Sequence, residues 1–195
     1  MQHSSWRGLV FGIAVALSNP GAALAETAAP TATQTATDEF AARGQRDARN
    51  IKYGDWEKLC FKPSGAKMVC RTTISGTFET GQTALRIYLV EREGNSDVRL
   101  QLFLPVGLYM KPGAKLSVDK GTAHKIPFTW CLTNTCIAAN LAAPMLLREM
   151  EAGKRLTVEV VDTNLQAVTT SLPLAQFAAV RKGAPTHVFE QKIDE

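Results

Sequence analysis

Two neighbouring stretches of this chain put an aliphatic residue at every second position. Leu85, Ile87 and Leu89 alternate with Arg86, Tyr88 and Val90. After the turn residues Gly94-Asn95-Ser96-Asp97, Val98, Leu100, Leu102 and Leu104 alternate with Arg99, Gln101 and Phe103. A strand sends successive side chains to opposite faces, so runs of this period, bounded by Gly, Asn and Pro, are antiparallel strands with one face in a core. Met68, Cys70, Thr72 and Ile74 alternate in the same way with Val69, Arg71 and Thr73. Residues 116–119 and 125–130 follow a Pro112-Gly113 turn, and residues 156–162 and 168–174 flank Asn164 as a further hairpin. Many short strands at a spacing of roughly 8 to 12 residues predict a mainly-β chain folded as a β-sandwich. Two short helical pieces, about 142–152 and 174–181, are expected over an edge or an end. Gly153 and Gly183 follow them and are expected to supply left-handed caps.

The N-terminus sets the compartment. Arg7 is followed by an uninterrupted apolar run over residues 8–17, a break at Asn19-Pro20, and the small-x-small end Ala23-Leu24-Ala25. This is the pattern of a secretory signal peptide over residues 1–25, with a mature chain starting at Glu26. The apolar run is about half the roughly 20 residues that a bilayer requires, so no integral membrane span is expected after processing. No cysteine stands near the cut to carry a lipid. The expected location is the periplasm, with secretion or display on the outer surface as further destinations. The formal charge of +4 loses Arg7 and no acidic residue on cleavage, leaving +3. That balance, without a stripe of Lys and Arg, predicts no nucleic-acid partner.

Residues 26–50 are rich in Ala, Thr and Pro and then polar. They hold too little apolar area to offset the entropy of ordering, and are expected to form a disordered spacer. Residues 51–188 have the length of one domain, and 189–195 read as a C-terminal tail.

In an oxidising space, paired cysteines become disulfides. All four cysteines, Cys60, Cys70, Cys131 and Cys136, lie in the expected domain. Four cysteines permit three pairings, among which sequence alone does not decide. Local pairing, 60 with 70 and 131 with 136, is expected because Lys62-Pro63-Ser64-Gly65 and Leu132-Thr133-Asn134-Thr135 are turn formers that fold the flanks back on themselves. Trp56 is expected to cover the first pair from the core side. A zinc site needs repeated close ligand pairs, and the first spacing here is too wide. A thiol oxidoreductase needs C-x-x-C at a helix N-terminus, and Cys131 with Cys136 is C-x4-C after a strand-like run.

Catalytic chemistry leaves no signature. No G-x-S-x-G, H-E-x-x-H, Walker loop or G-x-G-x-x-G occurs. His124 and His187 read as solvated histidines of a loop and the tail. Asp119 and Asp162, at the ends of strand runs, read as carboxylates that bond backbone. Glu57, Glu91 and Glu93 read as solvent-facing, and Met68, Met110, Met145 and Met150 are too scattered for a copper site. No catalytic residue, metal or cofactor is expected.

Several motifs taken together resemble the invasion-associated locus B (IalB) family: Gly54-Asp55-Trp56 followed by Cys60 and Cys70, Pro105-Val106-Gly107, the turn around Asp119, then Phe128, Cys131, Cys136 and Ala138, and finally the segment VTTSLPLAQFAAV over 168–180. The resemblance covers about residues 51–182. One departure is Gln176, where the family tends to place Gly before the aromatic residue of the last helix. The resemblance implies an immunoglobulin-like antiparallel β-sandwich exported by a Gram-negative bacterium. It also implies an association with host-cell entry in some pathogens, and it carries no catalytic set. The leading expectation is a non-catalytic binding or envelope-assisting factor for an envelope or host protein. The alternative is a small periplasmic hydrolase with a loop-built site, and a redox or metal carrier ranks third. A cleft gathering shifted ionisable groups would favour the enzyme, and an exposed apolar patch the binding factor.

Overall fold

The computed structural model describes residues 41–48 and 50–191. The expected signal peptide over 1–25 and most of the expected spacer lie outside the described residues.

In chain order the elements are β1 (Gly44–Asp47), β2 (Ile51–Tyr53), β3 (Glu57–Lys62), β4 (Val69–Phe78), β5 (Thr83–Arg92), β6 (Val98–Leu104), β7 (Ala114–Val118), β8 (His124–Ile126), β9 (Phe128–Cys131), β10 (Cys136–Leu141), α1 (Pro144–Ala152), β11 (Arg155–Val161), β12 (Gln166–Pro173), α2 (Phe177–Lys182) and β13 (His187–Glu190). They form two sheets. One runs β1-β12-β11-β7-β8; the other runs β13-β3-β4-β5-β6-β10-β9, with β2 also paired to β4. Among the described residues no helix is long and apolar enough to cross a membrane.

The alternating runs do what their period requires. On β5, Leu85, Ile87 and Leu89 are buried while Arg86, Tyr88 and Val90 are only partly covered. On β6, Val98, Leu100, Leu102 and Leu104 are buried. Across the sandwich they share one core cluster with Leu116, Val118, Leu156, Val158 and Leu172 of the five-stranded sheet. Burying a Leu, Ile or Val side chain of this kind is worth about 1.5 to 3 kcal/mol.

The Gly54-Asp55-Trp56 motif is an interruption. β2 pairs with the end of β4 (Tyr53 opposite Gly76) and β3 with its middle (Glu57 opposite Thr73), so the two short strands share one neighbour. At the break, the indole of Trp56 enters the core and packs edge-on against Phe177, with ring centroids 4.8 Å apart.

The helices close one side. Pro144 occupies the first turn of α1, where its missing N–H is no loss. Leu146 and Met150 are buried there, and α1 packs on α2 and β7. Lys58 of β3 donates from Nζ to the carbonyls of Arg181 (2.8 Å) and Gly183 (3.0 Å), capping the C-terminus of α2. Gln176 has φ −102° and ψ −10°, an ordinary conformation that needs no glycine.

Four expectations need correction. Gly153 and Gly183 are extended (φ −83° and −76°), not left-handed. They are small for reasons of space: a Cβ on Gly153 would collide with Val118 Cγ1, and one on Gly183 would lie 2.7 Å from the Ala179 carbonyl oxygen. The spacer does not run to residue 50, because Gly44–Asp47 adds as a parallel edge strand to β12. Nor is the C-terminus a tail from 189, because His187–Glu190 adds in parallel to β3. The sandwich is therefore antiparallel except at these two terminal strands. His124 is no free loop residue either: its Nε2 lies 3.0 Å from Glu149 Oε2 on α1.

Candidate functional site

The four cysteines form two cross-strand staples. Cys60 stands directly opposite Cys70 in the β3–β4 register, and Cys131 opposite Cys136 in the β9–β10 register. Each pair is disulfide-bonded, leaving no free thiol. Turn residues bring each pair together, and the ladder aligns it. Cys60 and Cys136 are buried, whereas Cys131 lies at the surface with its sulfur 3.6 Å from that of Met110.

Three ionisable groups depart from their ordinary behaviour, each for a different reason. Burial pushes the Tyr53 phenol up, against a hydrogen bond with Thr170. A hydrogen bond from Lys182, joined by Arg181, holds the Glu151 carboxyl below its usual range. The backbone N–H of Gln166 does most to lower Asp162, followed by the Arg46 guanidinium at 2.9 Å. These groups do not converge. Tyr53 and Asp162 line different cavities. Glu151 is held between the helices by Arg181, which also binds Glu91 of β5 at 2.6 Å. Glu91 is thus an ion-pair member and not a freely solvated strand residue.

Asp119 and Asp162 behave as turn carboxylates should. Asp119 accepts from the N–H of Lys154 and of Arg155, and Asp162 accepts from the N–H of Asn164 and of Gln166. The cleft around Tyr53 is lined with hydroxyls, and these are paired across strands: Thr157 with Ser171 at 2.9 Å, and Thr169 donating to Asp47 at 2.6 Å. No histidine lines it; His124 is on β8 and His187 on β13. Among the described residues no group of three or more His, Cys, Asp or Glu is placed to hold a metal ion.

What the surface does offer is apolar. On edge strand β9 Trp130 is 65% exposed, and Leu132 follows it into the loop closed by the second disulfide. Met110, in sulfur contact with Cys131, and Val106 of the same β6–β7 loop are also exposed. At the opposite edge of this sheet Phe61, Val188 and Phe189 form a second exposed set around β3 and β13. A cavity of about 400 Å³ opens between the sheets beside the Pro105-Val106-Gly107 loop. Sequence reasoning found the cysteines and Trp56. It missed Arg46, Asp47 and Tyr53, whose surroundings are assembled from strands distant in the chain.

Together, two sheets packed face to face, the eight-stranded one carrying both disulfides, with short helices at one side, define a mainly-β sandwich. The chain belongs to the family described as Invasion associated locus B (IalB) protein, whose profile matches residues 56–185. The fold is similar to the crystal structure of invasion associated protein b from Bartonella henselae, with a TM-score of 0.57 and 19% sequence identity, over 67% of this chain and 90% of that one. At this identity the likeness is one of fold. No curated protein matches the sequence.

Proposed function

We propose that this chain is a non-catalytic binding or envelope-assisting factor, exported to the periplasm or the outer surface, that engages an envelope or host protein. The observation that carries this reading is the apolar surface at β9. Trp130 stands exposed on an edge strand and Leu132 in the loop that follows, a loop closed by a disulfide. Large apolar side chains exposed together mark interaction sites, and Trp is enriched among the residues that dominate interface energies. The edge strand also has unpaired backbone groups to offer an extended partner. The name of the Bartonella protein extends this proposal to contact with a host cell.

The hydrolase alternative needs a nucleophile with a base in reach. The hydroxyl held by a carboxylate in the Tyr53 cleft, Thr169 on Asp47, belongs to a buried residue, which disfavours its use as a nucleophile. The test is capture from envelope extract and from host-cell surface extract with a photo-crosslinker placed at position 130. A discrete adduct, competed by unlabelled protein, is expected. Failure to form any competed adduct in either extract, with turnover of an ester or peptide substrate by the same preparation, would overturn the proposal.

A further inference from the structure

The two sheets do not close fully around their shared core. The cavity of about 400 Å³ between them has Leu85 and Leu104 of the eight-stranded sheet on one side. Val158, Val160 and Val168 of the five-stranded sheet lie on the other. Its size falls within the range of small-molecule sites, roughly 300 to 1,000 Å³, which combine an apolar lining with few polar groups. The charged side chains lining it are Arg46 and Asp162. Arg46, more than half exposed, sits at the opening.

The hydrogen-bond balance at that opening is uneven. The Asp162 carboxylate already accepts three donors: the Arg46 guanidinium, and the N–H of Asn164 and of Gln166. The guanidinium has five N–H groups and spends one nitrogen on Asp162. The ion pair itself is neutral, but the surplus of hydrogen-bonding groups at the mouth is of N–H donors on Arg46. Planar, delocalised guanidinium groups suit carboxylate and phosphate oxygens. Behind these donors lies a slot walled mainly by aliphatic side chains, with Thr169 and Thr170 also on its lining, and such a wall suits an alkyl chain.

We infer that the inter-sheet cavity binds a single-chain amphiphile with an anionic head, its alkyl tail between Leu104 and Val158 and its head on Arg46. The site is separate from Trp130 and does not depend on the proposed protein partner. The head could be the carboxylate of a free fatty acid or the phosphate of a lysophospholipid, so both are probed.

The whole mature protein is titrated with dodecanoate and, separately, with lauroyl lysophosphatidylglycerol, each below its micellar concentration. Saturable one-to-one binding of at least one is expected; the arm that binds identifies the source. With ¹³C-labelled chain, NMR should show contacts from the alkyl chain to the methyls of Leu85, Leu104 and Val158 in the unaltered protein. Arg46→Gln should weaken binding about tenfold, the effect of one charge-assisted hydrogen bond, and leave dodecanol binding unchanged. Val168→Phe, which fills the slot, should abolish binding of all three. Absence of saturable binding in both arms would overturn the inference. So would alkyl contacts mapping elsewhere, or binding that survives Val168→Phe in a folded variant.

Discussion

The indole Nε1 of Trp56, at the break between β2 and β3, donates a 2.9 Å hydrogen bond to the carbonyl of Pro173 at the end of β12. One side chain of the eight-stranded sheet thus bonds the backbone of the five-stranded sheet, while its ring packs on Phe177. Trp56 is thereby a tie between the two layers, a role that the sequence reading did not assign to it. Trp56→Phe keeps an aromatic ring but loses the donor and part of the buried indole volume, and should cost about 1 to 3 kcal/mol. Trp56→Ala also opens a core cavity and should cost about 3 to 5 kcal/mol. Chemical denaturation of the two variants checks both the order and the gap.

The staples should be structural and unequal. Peptide mapping without reduction should link Cys60 to Cys70 and Cys131 to Cys136. Replacing Cys60 and Cys70 together by Ser should cost about 2 to 5 kcal/mol, as for native disulfides in small secreted domains. Replacing Cys131 and Cys136 should cost about 0.6 kcal/mol less, because the closed loop is half as long in sequence separation, 5 against 10. A carrier of metal or redox equivalents would instead fold without Cys60 and hold stoichiometric zinc or copper.

Deleting residues 41–48 should lower the thermal midpoint by several degrees. This segment adds four residues to the β12 ladder, and bonds outward from Arg43 N–H to Leu165 and from Ala48 N–H to Thr169. It also supplies Arg46 to Asp162 and Asp47 to Thr169. A few hydrogen bonds at about 1 kcal/mol each give a shift of that size. An unchanged midpoint would restore the spacer boundary at residue 50.

This segment also shows where sequence reading stops. β5 and β6 are legible because each has one face in the core and one outside, so burial is written into every second residue. The cysteine pairs are legible because turn formers lie between them. β1, with the sequence Gly-Gln-Arg-Asp, carries no apolar period at all. It is held through its backbone by a parallel partner more than a hundred residues away, and such pairing leaves no local mark. β13 is exposed along its whole length and escapes notice for the same reason. Gly153 was legible as a helix stop, yet its cause is the neighbouring Val118, which only the packed structure brings near. The inter-sheet cavity draws its lining from both layers, so no single run of residues announces it.

Stability should fall at both ends of the pH scale. Glu151 and Asp162 have folded-state pKa values lowered from 4.5 and 3.8, so the native state binds fewer protons than the unfolded chain. Their contribution is complete above about pH 4.5 and is lost as the pH falls through the lowered values. Tyr53 is raised from 10.0, so its contribution is complete below about pH 10 and is lost as the pH rises through the raised value. Denaturation midpoints from pH 2 to 11 test the signs. Glu151→Gln should flatten the acid limb, and Tyr53→Phe the alkaline limb.

The most direct test of the binding role compares the captured partner's affinity for the unaltered protein and for the Trp130→Ser, Leu132→Ser double variant. Trp130 is exposed on β9 and Leu132 in the loop after it, and neither belongs to the core cluster, so folding should be spared. The account predicts an affinity loss of at least about tenfold, as for truncation of interface anchors, with a thermal midpoint unchanged within a few degrees. Full affinity in the double variant would contradict it.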